Sequence, residues 1–145
     1  MVSGIDHLGI LVNDIEANRE LFELLDLEIG AIEHVPAFGV DIAFIRVGEK
    51  LVELVEPVAG DSELIDDLES TQWTALLHHV AYRVDDIGAQ LTALREAGVA
   101  LADPSPRQGA GGARVAFLDR QAANGVRIEL VERSGDVELT SGDHG

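Results

Sequence analysis

The stretch DHLGILVNDI, at 6–15, returns 72 residues later as HHVAYRVDDI, at 78–87. His7/His79, Val12/Val84, Asp14/Asp86 and Ile15/Ile87 are identical. The offset is about half of a 145-residue chain, so the repeat constrains the fold more than any other feature. The echo continues beyond each copy. Helical spacing of apolar residues runs from Ile15 to Leu25 and from Ile87 to Ala97, with Asp14 and Asp86 at the N-cap positions and Gly98 ending the second helix. Each half then closes on a strand containing Glu-Leu-Val-Glu, at 53–56 and 129–132. Further strand-like runs lie between, Val40 to Val47 and Arg114 to Leu118.

Each half thus reads strand, helix, then about three strands. The expected fold is α+β, two tandem βαβββ modules with their sheets side by side around a shared metal-binding cavity. One domain covering 1–145 is expected: module 1 about 4–57, a linker about 58–75, module 2 about 76–133, and a mobile tail, 134–145, whose His144 is no ligand candidate. The linker should hold a short helix around Glu63 to Glu69, and Trp73 should be a packing residue.

Strand alternation sorts the side chains. Leu8, Ile10 and Val12 oppose His7, Gly9 and Leu11, and Val80, Tyr82 and Val84 oppose His79, Ala81 and Arg83. In the closing strands Val52 and Leu54 oppose Glu53, and Ile128 and Leu130 oppose Glu129. The apolar sets should pack on the helices. One potential ligand per segment is left on the other face: His7, Glu53, His79 and Glu129. A lone strand histidine is more often a hydrogen-bonded structural residue, and a lone strand glutamate is usually solvated. Four such residues at equivalent places of a duplicated unit instead suit a divalent ion such as Co²⁺, Ni²⁺, Zn²⁺, Mn²⁺ or Fe²⁺.

Composition narrows the alternatives. With no cysteine, a metal must be held by His, carboxylate or amide ligands, and disulfides are excluded. The net charge of −17, with Lys50 the one lysine, argues against nucleic acid as a partner. No apolar run reaches membrane-spanning length and the start lacks a signal-peptide pattern, so a cytoplasmic protein with no membrane partner is expected.

The stretches DHLGILV, FGVDIAF, VELVEP, LHHVAYRVDDI, LREAGV and PSPRQGAGGARVAFLD, leading to NGVRIELVE, resemble the vicinal oxygen chelate (glyoxalase/bleomycin resistance/dioxygenase) superfamily over about residues 4–132. Within it they look most like the methylmalonyl-CoA epimerases, which the His78-His79 doublet and the Pro-x-x-Gly-x-Gly-Gly loop at 106–112 favour over glyoxalases. The resemblance implies a divalent metal, Co²⁺ first among candidates, on His7, Glu53, His79 and Glu129. It implies Glu129 as ligand and base, an acyl-CoA substrate and a homodimer. His78 would be structural.

A second acid/base is harder to place. Where relatives carry glutamate, this chain has Ile42 or Ala37. A turn at Gly48-Glu49 would pair Phe44 with Glu53, putting Ile42, Phe44 and Arg46 on the cavity face and Asp41 on the other. Asp41 becomes a catalytic candidate only through a one-residue bulge. Arg107, Gly111 and Gly112 of the glycine-rich loop, with Arg83, are substrate-binding candidates; the plainer alternative is a flexible hairpin with surface arginines. The rival activities are a glyoxalase I-like isomerase acting on a hemithioacetal and a non-catalytic small-molecule-binding relative. A full set of four ligands argues against the second.

Overall fold

The computed structural model describes residues 1–60, 62 and 64–135. The segment expected as a mobile tail lies outside them from residue 136 onward. The elements run in chain order as β1 (Val2–Val12), α1 (Ile15–Leu24), β2 (Glu33–Val35), β3 (Val40–Val47), β4 (Lys50–Pro57), α2 (Ile65–Glu69), β5 (Ala75–Val84), α3 (Ile87–Glu96), β6 (Arg107–Gln108), β7 (Arg114–Phe117) and β8 (Ile128–Glu132). This is the expected strand–helix–three-strand order, twice. The eight strands form a mixed sheet, in which β5 and β8 pair in parallel while β2–β3, β3–β4, β6–β7 and β7–β8 pair antiparallel.

By contacts, the described residues divide into two compact units: 8–78, and 1–7 with 79–135. The boundary falls inside β1 and inside β5, not in the linker. In the first unit the strand order is β2-β3-β4-β1, and in the second β1-β5-β8-β7-β6. Each unit has its own apolar core, as alternation required. In the first, Val12, Ile15, Ile29, Ala43, Ile45 and Leu54 are buried together, with Ile10 and Val52 against them. In the second, Val84, Ile87, Leu91, Ala116 and Leu130 do the same, with Tyr82 at the margin. Leu8 departs from the pattern and is 39% exposed. Trp73 departs further: it is 72% exposed, so it is not the packing residue expected.

The repeated phrases turn out to encode the helix ends. Asp14 Oδ1 accepts from the Glu16 and Ala17 amides, and Asp86 Oδ1 from the Ala89 amide. The second glutamate of each Glu-Leu-Val-Glu reaches the same place from the sheet. The Ile15 amide donates to Glu56 Oε1 at 2.8 Å, and the Ile87 amide to Glu132 Oε1 at 2.9 Å. Each helix N-terminus therefore holds two carboxylates where its unpaired amides and dipole favour negative charge.

The C-termini match as well. The Asp26 and Leu27 amides donate to Glu23 O and Phe22 O, and the Gly98 and Val99 amides to Arg95 O and Leu94 O. This closure needs a left-handed residue, and Asp26 (φ 61°) stands where the second module has Gly98 (φ 84°). Asp26→Gly should relieve the side-chain penalty and raise stability by about 0.5–1 kcal/mol, read as a higher urea midpoint at unchanged slope. An unchanged midpoint would mean that Asp26 sits in this conformation without cost.

Among the described residues, no helix is long and apolar enough to cross a membrane.

Candidate metal centre

His7 lies near the middle of β1, His79 on β5 and Glu129 on β8. All three are buried, at 1%, 6% and 5% exposure. The parallel register of β5 and β8 sets Ala81 beside Glu129, and the antiparallel register of β7 and β8 sets Phe117 on its other side. His79, Ala81, Glu129 and Phe117 thus share one face of the sheet. The methyl of Ala81 leaves room there, and the His79 ring stands at 87° to that of Phe117, with centroids 5.2 Å apart.

The three polar side chains converge. His7 Nε2 lies 3.1 Å from His79 Nε2 and 3.2 Å from Glu129 Oε1, and His79 Nε2 lies 3.5 Å from the same oxygen. Glu129 Oε1 is sealed from solvent yet accepts no hydrogen bond from the described residues. Among those residues, the three form a group able to hold a metal ion.

The surroundings of His7 explain its orientation. His7 Nδ1 is 2.7 Å from Asp6 Oδ2. Asp6 in turn is gripped by Arg133, whose Nε donates to Oδ1 at 2.9 Å and whose Nη2 donates to Oδ2 at 2.8 Å. Arg83 Nε approaches Asp6 Oδ1 at 3.8 Å. Burial pushes the Asp6 carboxyl up, but the hydrogen bonds from His7 and Arg133 outweigh it and hold it well below the usual carboxylate range. An ionised carboxylate only accepts, so the proton of a neutral His7 sits on Nδ1 and the Nε2 lone pair faces His79 and Glu129.

A divalent cation fits this arrangement. Two acceptors, His7 Nε2 and Glu129 Oε1, face each other at 3.2 Å in a buried place, where they repel unless a proton or cation lies between. Ligand bonds of about 2.0–2.2 Å put neighbouring donor atoms about 3.0 Å apart at right angles and about 3.4 Å apart at the tetrahedral angle. The three observed separations, 3.1, 3.2 and 3.5 Å, lie within about 0.1 Å of that range.

Glu53, the fourth expected ligand, is buried on β4 and pairs with Phe44, the register the tight turn at Gly48-Glu49 required. That register continues unbroken from Val40↔Pro57 to Val47↔Lys50, so the bulge needed to turn Asp41 does not form. Asp41 stays on the strand face it shares with its partners His34 and Glu56, and its Oδ1 lies 2.9 Å from His34 Nδ1. Asp41 therefore faces opposite to Ile42, Phe44 and Glu53 on its hairpin. His78 is buried, with Nε2 3.1 Å from Asp67 Oδ2.

Arg107 donates to Asp103 Oδ1 at 3.3 Å, and Asp103 Oδ2 accepts from the Phe117 amide. Arg83 donates to Gly135 O. Gly111 and Gly112 both have positive φ, 68° and 73°, so the Ala110–Gly112 turn is kinked. The turn's Ala110 carbonyl accepts from Arg133 Nη1 at 3.2 Å. Two residues of the centre, Asp6 and Arg133, were missed by sequence reasoning. The signals were an acid directly before a strand histidine, and an arginine at 133 where the first module's echo has Pro57.

A model of the "Glyoxalase/Bleomycin resistance protein/Dioxygenase superfamily" matches residues 6–117, most of the chain. The protein belongs to that superfamily. Its relatives in the superfamily include the uncharacterized protein YqjC of Bacillus subtilis (strain 168), 38% identical over 91% of this chain and 94% of the other. An ethylmalonyl-CoA/methylmalonyl-CoA epimerase of Cereibacter sphaeroides is 34% identical over 90% and 98% of the two chains. Among solved structures, a Streptomyces coelicolor methylmalonyl-CoA epimerase variant in complex with 2-nitronate-propionyl-CoA superposes with a TM-score of 0.85. The two are 27% identical, covering 93% of this chain and all of the other (100%). The α+β fold of the superfamily and the likeness to epimerases both stand as the sequence led one to expect.

Proposed function

We infer that this chain is a metal-dependent epimerase that interconverts (2R)- and (2S)-methylmalonyl-CoA. The observation that carries the reading is the buried meeting of His7 Nε2, His79 Nε2 and Glu129 Oε1, with an oxygen there that no donor among the described residues satisfies. The resemblance assigns Glu53 as a fourth ligand and makes Co²⁺ the first candidate ion. The epimerases among the relatives supply the substrate class.

The reacting carbon lies between a thioester carbonyl and a carboxylate. A divalent ion held by these residues supplies Lewis-acid stabilisation of the negative charge that develops on the substrate oxygens when the α-proton leaves. Glu129 is the base that takes that proton. Its carboxylate is buried beside His7 and His79, between Ala81 and Phe117 on the neighbouring strands. Inversion needs a proton returned to the opposite face of the carbon. Asp41 faces opposite to Ile42 on β3, and Ile42 and Ala37 have no acidic group, so the return of the proton falls to a water or another side chain, or Glu129 serves alone. Arg107, Arg83 and the amides of Gly111 and Gly112 are the groups proposed to hold the acyl-CoA, Arg83 also lying 3.8 Å from Asp6 and donating to Gly135 O.

Proton NMR in D₂O tests the reading. The Co²⁺-loaded protein should wash out the α-proton of (2R)-methylmalonyl-CoA, and a mutase specific for one epimer should then reveal the inverted product. Bound Co²⁺ without washout would eliminate the epimerase. A glyoxalase I-like isomerase has less support, because the epimerases of Cereibacter sphaeroides and Streptomyces coelicolor match nearly the whole chain.

A further inference from the structure

Asp6 and Arg133 are neither ligand nor base in that scheme, yet they are buried as deeply as the ligands. The Arg133 side chain is 3% exposed and that of Asp6 4%. A buried ion pair of this kind is costly unless its geometry is close to ideal and its remaining protons are satisfied. Here the geometry is close to ideal, and three of the five guanidinium N–H groups have acceptors in hand. The guanidinium grips Asp6 through two parallel bonds and spends a third donor on the Ala110 carbonyl. Held from behind in this way, the carboxylate meets the Nδ1 of His7 at 2.7 Å.

We propose that Asp6, anchored by Arg133, is a positioning residue that fixes the ring orientation and tautomer of His7, so that the Nε2 lone pair is presented toward His79 and Glu129 before any ion arrives. The physical argument is one of donors and acceptors. Arg133 can only donate, so both Asp6 oxygens are committed as acceptors, and the neutral ring must place its proton on Nδ1. A carboxylate behind a ligand histidine also makes its other nitrogen more basic, and loss of such a partner commonly weakens metal binding about 10–100-fold. Because Arg133 also bonds Ala110, the same pair ties the glycine-rich turn to the strand that carries His7.

The metal-affinity part of this proposal rests on the metalloenzyme reading; the tautomer part does not, and the experiment separates them. Ring ¹⁵N shifts of His7 in the metal-free protein report which nitrogen carries the proton. Wild type should show Nδ1 protonated and Nε2 bare, and Asp6→Asn should show a mixture. Since Asp6→Asn leaves Arg133 buried with half a partner, Asp6→Leu/Arg133→Met provides a matched apolar pair that need not unfold. It should show the same loss of tautomer preference. Co²⁺ affinity, measured by competition with a chromophoric chelator, should fall about 10–100-fold in both variants, with the visible Co²⁺ spectrum altered. Arg133→Lys, which keeps the charge and loses the fork, should fall between. An unchanged His7 tautomer in both Asp6 variants would overturn the proposal. So would Co²⁺ affinity within twofold of wild type. If wild type bound no Co²⁺ yet showed the locked tautomer lost in the variants, the positioning role would stand and the metalloenzyme reading would fall.

Discussion

Glu129→Gln is expected to stop α-proton washout from methylmalonyl-CoA while leaving a folded, Co²⁺-binding protein. Glutamine keeps the shape of the side chain and an oxygen to point at the two imidazoles, but it cannot accept a proton at neutral pH. A positioned general base contributes about 10²–10⁴-fold, so the exchange rate should drop by that factor. The substitution also loses one negative charge from the ligand set. Co²⁺ affinity must therefore be measured on the same sample, and washout compared at saturating metal. Exchange within tenfold of wild type under those conditions would mean that another group removes the proton. Loss of exchange together with loss of metal would assign Glu129 as a ligand and leave the base unassigned.

Metal should also act as a staple between strands. His7, His79 and Glu129 come from β1, β5 and β8, and one ion joining them would stabilise only the folded state. At free Co²⁺ a hundredfold above its dissociation constant, linkage adds about 2.7 kcal/mol. For a chain of this size, at about 2–4 °C per kcal/mol, the thermal midpoint should rise by about 5–11 °C. His79→Ala should abolish the rise. This control matters because a chain of net charge −17 attracts divalent ions to surface carboxylates anywhere. An equal rise in wild type and His79→Ala would be that diffuse effect, and the candidate centre would then hold no ion.

Much of the fold could be read from the repeat, because each echoed residue has a job that its local chemistry dictates. Asp14 and Asp86 cap helices, as short polar side chains before apolar runs do. The alternation that placed His7, His79 and Glu129 together is a property of any strand, and the Phe44–Glu53 pairing came from the length of a turn. Other features were hidden for reasons equally physical. β2 and β6 are three and two residues long, too short to show a period. Asp6 alternates away from His7, yet a carboxylate on the neighbouring residue can still reach back to Nδ1, and alternation says nothing about such contacts. Arg133 sits where a strand pattern gives way to turn-forming residues, so sequence treats it as the root of a tail. Its long side chain runs instead to a buried carboxylate 127 positions earlier. Trp73 misled in the opposite direction, because size and apolarity favour burial without enforcing it.

The two glutamates of β8 hold the strand from both sides at once. Three positions apart, they point to opposite faces: Glu129 toward the two imidazoles, Glu132 toward the first amide of α3. A slip of one residue against β5 or β7 would exchange the faces. Leu130 would be delivered into the polar centre, a carboxylate would enter the apolar core beneath α3, and the helix would lose a cap. A one-residue slip carries all three penalties together, so the motif opposes that error of alignment as the chain folds. The same four letters in β4 also set Glu53 and Glu56 on opposite faces, with Glu56 on the Ile15 amide.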